Sequence, residues 1–144
     1  MGVRREAREL ALQLLYAMEL NPIDIEEGLR LSRENSRASE GVRLFAEELV
    51  AGVMANRSAI DRKIRGQSKN WAISRMAKVD LNILRLALFE LMFREDIPRN
   101  VTINEAIEVA KKFGSEESSA FINGMLDEMD ADIPDKEKQR ENDE

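Results

Sequence analysis

The chain contains neither cysteine nor histidine. The first absence excludes a disulfide framework and thiolate chemistry. The second removes the commonest general acid/base and the commonest metal ligand together. Zinc sites and Ser-His or Cys-His catalysis are thereby ruled out by inventory. Glycine-rich phosphate loops and nucleophile elbows are also missing. Pairs such as Glu26/Glu27, Glu47/Glu48 and Glu116/Glu117 are sequence neighbours, which do not face each other on a helix and read as solvated surface. Only three prolines, seven glycines, five phenylalanines, one tryptophan and one tyrosine occur in 144 residues. Turn punctuation is therefore sparse, and aromatic strands are not expected. No charge-free apolar run is long enough to span a membrane, and Met1-Gly2-Val3-Arg4-Arg5-Glu6 lacks the character of a signal peptide. The expectation is a soluble, cytoplasmic binding protein rather than an enzyme, with no cofactor and no metal.

What the chain does hold is apolar residues at 43% and charged residues at 35%, enough for one core within one domain. Leu, Ala, Glu, Arg and Met dominate, and all are good helix formers. The fold class expected is all-α, with about seven helices and a single domain over residues 1–130. An acidic tail over 131–144 is expected to be disordered. The net charge of −6 belongs to the end of the chain: from Asp127 onward there are nine acids and three bases, while the preceding residues balance at 19 of each. Between Arg57 and Lys78 the sign reverses. Arg57, Arg62, Lys63, Arg65, Lys69, Arg75 and Lys78 are opposed only by Asp61. A basic patch in a neutral body is compatible with RNA.

Apolar periodicity predicts a first helix over Val3–Leu20, with Ala7, Leu10, Ala11, Leu14, Leu15 and Met18 inward. Asn21-Pro22 stops it. A short helix is predicted over Ile23–Glu34. A long one follows over Glu40–Arg65, burying Leu44, Phe45, Leu49, Val53, Ile60 and Ile64, with Gly66 as its C-terminal cap. One or two turns are predicted over Trp71–Met76. The segment Val79–Glu95 is apolar nearly all round and reads as the central helix. Thr102-Ile103-Asn104-Glu105 reads as a capping box opening the next helix, which Gly114 ends. Ser115 is placed to cap the last helix, with Glu116 and Glu117 suiting its dipole. Gly124, mid-helix, predicts the close approach of another helix.

Two surfaces could carry binding. Arg4, Arg5 and Arg8 lie three and four residues apart, so all three can share a face. Arginine forks and free helix-start amides suit phosphate. The alternative is an exposed amphipathic helix with Glu6 and Glu9 as partners. The second surface is the corner from Lys111 to Phe121, with two lysines, hydroxyls and the aromatic pair Phe113 and Phe121. Bases of single-stranded RNA stack on aromatics, but both rings could equally be core.

Four segments in order resemble the NusB family: Arg5-Glu6-Ala7-Arg8-Glu9-Leu10-Ala11-Leu12-Gln13-Leu14-Leu15-Tyr16, then Ile83-Leu84-Arg85-Leu86-Ala87-Leu88-Phe89-Glu90-Leu91, then Ile97-Pro98 through Val101-Thr102-Ile103-Asn104-Glu105-Ala106 to Lys111-Lys112-Phe113-Gly114, then Phe121-Ile122-Asn123-Gly124-Met125-Leu126-Asp127. The resemblance implies two small helical bundles packed together. It also implies a transcription antitermination factor that binds boxA-type RNA together with NusE, a protein of the small ribosomal subunit, and helps RNA polymerase read through ribosomal RNA operons. It places RNA contacts at Arg4, Arg5, Arg8, Lys111, Glu117, Ser118 and Phe121, and NusE contacts at Tyr16 and Asp80. A helical protein-interaction module without RNA affinity of its own is the alternative. The arginine cluster is shorter than in the more basic members, and Glu117 adds an acid beside Glu116.

Overall fold

The computed structural model describes residues 2–67 and 72–133; Trp71, Lys69 and the acidic tail beyond residue 133 lie outside them. Seven α-helices follow in order: α1 (Val3–Leu20), α2 (Ile25–Asn35), α3 (Glu40–Ala55), α4 (Arg57–Gln67), α5 (Lys78–Phe93), α6 (Arg99–Phe113) and α7 (Ser118–Ala131). A 3₁₀ turn over Ile73–Arg75 precedes α5. Among the described residues there is no strand.

The helices form two groups joined by one element. α1, α2 and α3 pack on each other, α6 and α7 pair beside α4, and α5 touches α1, α3, α4, α6 and α7. Every residue of α5 from Leu81 to Leu91 is buried, including Asn82, Arg85 and Glu90. The central position expected from its all-round apolar pattern is thus observed, with three polar residues that the pattern did not place inside. α1 and α3 run in the same direction. Val3 meets Gly41 at one end, and Glu19 meets Arg57 beyond the other. α2 is the return connection between them.

Local chemistry sets the helix ends. The Asp24 carboxylate accepts the Glu27 amide at 2.8 Å, so α2 begins at Ile25 rather than at Ile23. The Ser39 hydroxyl accepts the Val42 amide at 3.4 Å to start α3. The long helix expected over Glu40–Arg65 is divided at Asn56. The Asn56 side-chain amide donates to the Gly52 carbonyl at 2.8 Å, the local competition through which asparagine interrupts helices. Leu44, expected inside, is 49% exposed. The stripe that meets α1 is Val42, Phe45, Ala46, Leu49, Val50 and Val53, and Leu44 lies to one side of it. Gly66 caps nothing, since α4 continues through Gln67.

The predicted capping box also fails. α6 starts a turn earlier, at Arg99, where the Val101 and Thr102 amides donate to the Pro98 carbonyl at 3.1 and 3.2 Å. Thr102 is therefore interior to the helix and 2% exposed, and its side chain and that of Glu105 are released for contacts with other helices. Ser115 does not cap α7 through its hydroxyl either. The bond is reversed: the Ser118 hydroxyl accepts the Ser115 amide at 2.9 Å.

The glycine expectation is met at a different position. A Cβ at Gly124 would meet nothing within 4 Å, so no close approach explains it. At Gly52 a Cβ would lie 2.1 Å from Cζ of Phe89. The α3–α5 crossing is the tight one, and Phe89, 7% exposed, fills the space that a side chain would occupy. No described helix is long and apolar enough to cross a membrane.

Candidate nucleic-acid interface

Arg4, Arg5 and Arg8 do not share one exposed face. Arg8 follows Arg4 by four residues and Arg5 by three, so it points along the line between them. That line is where α5 packs. The Arg8 fork donates two bonds to Glu90, at 2.9 and 2.8 Å. Glu90 also accepts the Thr102 hydroxyl at 2.8 Å. Arg8 is 6% exposed and Glu90 2%, so this is a buried, bidentate pair tying α1 to α5 and α6. Arg5 turns to α6 and donates to Glu105 at 2.8 and 2.9 Å. The bonded carboxylate raises the Arg5 pKa, and the same bond lowers that of Glu105. Arg4 turns to the other side, lying 4.8 Å over the Phe45 ring and 3.4 Å from Asp96. The carboxylates bonded to them at these distances belong to other helices and loops, and Glu9 adds a weaker attraction to Arg5 from within α1.

Between α1 and α6 lies a groove of about 280 Å³ lined by Arg5, Glu9, Glu108, Val109, Lys111 and Lys112. Lys112 reaches Glu9 at 2.9 and 3.1 Å and passes 5.5 Å over the Phe113 ring. Lys111 stands 3.4 Å from Glu108. In the sequence Glu9 reads as a partner within α1 and Glu105 as a capping-box residue, and nothing singles out Glu108, but three acids facing three bases across two helices are what make this groove neutral.

Three residues beyond Lys112, the corner opens a second concavity of about 150 Å³. It is lined by Arg75, Met76, Ala77, Asp80, Ser115, Glu117, Ser118 and Phe121. Gly114 makes the corner possible, because a Cβ there would stand 2.4 Å from the Ser118 hydroxyl. Ser118 is 2% exposed and serves as the inner strut of the turn. Phe121 is half-buried with one side against the core, so the stacking and core readings of this ring are both accommodated. Phe113 also packs against the core. Asp80 joins the predicted RNA residues Glu117, Ser118 and Phe121 in this concavity. Its Oδ1 is buried and has no hydrogen-bond partner among the described residues. Tyr16, 36% exposed, lines neither concavity.

The basic run from Arg57 to Lys78 is partly neutralised from α1. Glu19 lies 3.3 Å from Arg57, 3.5 Å from Lys78 and 3.0 Å from Arg85. Burial opposes ionisation of Glu19, but the surrounding cations, Arg85 foremost, outweigh it and lower its pKa. Arg85, 3% exposed, also grips Asp61 with bonds of 2.9 and 3.1 Å.

A family model described as the NusB family matches residues 5–131. The chain belongs to the NusB family. A protein of Trichlorobacter lovleyi named transcription antitermination protein NusB is 57% identical over 138 residues, covering 96% of this chain and 97% of that one. The like-named protein of Geotalea daltonii is 59% identical, covering 95% of this chain and all of its own. Among solved structures, NusB of T. maritima superposes with a TM-score of 0.81 at 35% identity, covering 97% and 99% of the two chains. A structure of the antitermination factors NusB and NusE in complex with dsRNA superposes with a TM-score of 0.81 at 25% identity, covering 92% and 99%. The NusB resemblance and the all-α expectation are therefore borne out.

Proposed function

We propose that this chain is a cytoplasmic transcription antitermination factor that acts by binding and not by catalysis. It takes boxA-type single-stranded RNA together with NusE and joins an RNA polymerase complex that reads through ribosomal RNA operons. The observation carrying this reading is the pair of adjoining concavities on either side of the Gly114 corner. One gathers Arg5, Lys111 and Lys112 along a groove suited to a phosphate backbone. The other offers Phe121 for stacking beside hydroxyl and carboxylate groups for base edges.

In this reading Arg4, Arg5, Lys111, Glu117 and Phe121 face RNA, and Ser118 shapes the corner. Arg8 positions α1 rather than touching RNA. Tyr16 and Asp80 face NusE. Asp80 shares its concavity with Phe121, so partner and RNA would meet at one place, which supports joint binding. A family member solved with both NusE and dsRNA supports the same reading.

The test is a gel-shift titration with and without NusE, using the wild type, Arg5→Ala and Phe121→Ala. The expected result is tight binding only with NusE, weakened in both variants. No shift in any of the three, with or without NusE, would leave a protein-interaction module without RNA affinity. Separately, Asp80→Ala is expected to weaken NusE capture without altering the melting curve, and unchanged capture would remove Asp80 from that face.

A further inference from the structure

The groove between α1 and α6 holds three cations and three carboxylates, each matched across a short distance. Arg5 is gripped by Glu105 with two bonds. Lys112 is held between both oxygens of Glu9. Lys111 stands by Glu108. Two of the three pairs cross from α1 to α6, and their carboxylates are the better shielded members. The Glu105 and Glu9 side chains are 19% and 15% exposed, against 36% for Arg5 and 55% for Lys112. These carboxylates are thus fixed parts of the groove, while the cations are the reachable members.

Resting on the RNA-binding reading, we infer that Glu9 and Glu105 are specificity-determining residues, which withhold Lys112 and Arg5 from a generic phosphate backbone and yield them only to RNA already held at the Gly114 corner. The physical reason is charge balance. The salt dependence of nucleic-acid binding counts the net positive charge brought to the phosphates. A cation that arrives with its own carboxylate brings none. It can still donate its N–H groups to a phosphate once the RNA is placed, but it contributes almost nothing to undirected attraction. An RNA that binds by charge alone must also break the pair, which costs roughly two- to five-fold in affinity for each exposed ion pair.

The experiment measures affinity at several salt concentrations with NusE present, for a boxA-type RNA and for a uridine homopolymer of equal length. The proteins are the wild type, Arg5→Ala, Glu105→Gln, Glu9→Gln, the double variant Arg5→Ala/Glu105→Gln, and Glu6→Gln. Glu6 is an exposed acid of the same helix outside these pairs, and it controls for the simple loss of one negative charge. Glu105→Gln and Glu9→Gln are each expected to tighten homopolymer binding roughly two- to five-fold and to steepen the log–log salt slope by about 0.7. The preference for the boxA-type RNA should narrow accordingly. Arg5→Ala should weaken boxA binding and, by leaving Glu105 uncompensated, flatten the slope by about 0.7, whereas the double variant, neutral again at this pair, should return to the wild-type slope while keeping the weakened boxA affinity.

Two results overturn the inference while leaving RNA binding intact. In one, the glutamine variants leave both homopolymer affinity and salt slope unchanged. In the other, Glu6→Gln gains as much as Glu105→Gln. If Arg5→Ala leaves boxA affinity unchanged, the RNA-binding reading of the groove falls and the inference falls with it. Both glutamine variants keep the side-chain shape, and their melting curves verify the fold.

Discussion

Arg8→Ala tests the proposal that Arg8 positions α1 and does not touch RNA. The substitution leaves Glu90, 2% exposed, charged and without its bidentate partner. The Thr102 hydroxyl still donates to it at 2.8 Å, but the guanidinium charge is gone. Removing one member of a buried pair costs about 3–5 kcal/mol, because the desolvation of the other is no longer offset. Against a total stability on the order of 5–15 kcal/mol, that is a large fraction. Equilibrium urea denaturation should show a lower midpoint with an unchanged slope. The double variant Arg8→Met/Glu90→Leu removes both charges and fills the space with apolar groups. Such replacements are often neutral or stabilising, and Thr102 can fall back on the carbonyl one turn before it. It should therefore recover most of the lost stability and bind RNA like the wild type wherever both are folded. A loss below about 1 kcal/mol in the single variant would refute the stated cost of orphaning Glu90. Weak RNA binding by a stable double variant would show that Arg8 acts at the RNA after all.

Three further outcomes follow from the fold. Gly52→Ala drives a methyl group into the Phe89 ring, and overpacking of this kind should cost about 1–3 kcal/mol in the same denaturation assay. Asp24→Ala removes the 2.8 Å cap of α2 and should cost about 0.5–2 kcal/mol, read as reduced helicity and a lower midpoint. Stability should change little between roughly pH 8 and 5.5, because without histidine no side chain has its ordinary pKa there. It should decline in acid. Arg94 holds Asp96 down at about 2, and Glu19 and Glu105 are also lowered. Groups depressed in the folded state contribute fully above their unfolded values near 4, and that contribution is lost as pH falls toward 2. A midpoint that drops between pH 8 and 6 would contradict this.

Most of the helix layout was legible because it depends on neighbours in sequence. α1 matches its predicted span, and α5 was recognisable as central from apolar positions spread nearly all round its circumference. The misses share a cause. Asn56, Thr102 and Ser115 each carry a short polar side chain that can bond its own backbone or reach another helix, and the sequence does not say which it will do. Thr102 and Glu105 had the spacing of a capping box, but Pro98 started the helix a turn earlier and freed both. Gly124 and Gly52 look alike in sequence, yet only the facing Phe89 makes one of them necessary.

The arginines illustrate the same limit at the candidate site. Spacing put Arg4, Arg5 and Arg8 on a common side of α1, and to that extent it was right. What spacing could not supply was the partner of each, since Asp96, Glu105 and Glu90 lie 92, 100 and 82 residues away in the chain. Those three carboxylates divide one cluster into three roles: a ring-stacked surface cation, a groove cation held by its neighbour, and a buried strut. The strut orders the other two. With Arg8 fixed to Glu90, and Glu90 in turn bonded by Thr102 of α6, α1 is held in register against α6, and that register is what brings Arg5 to Glu105 and Glu9 to Lys112. A binding surface made of matched charges needs such a rigid reference, because an ångström of slip would separate the pairs that keep it neutral.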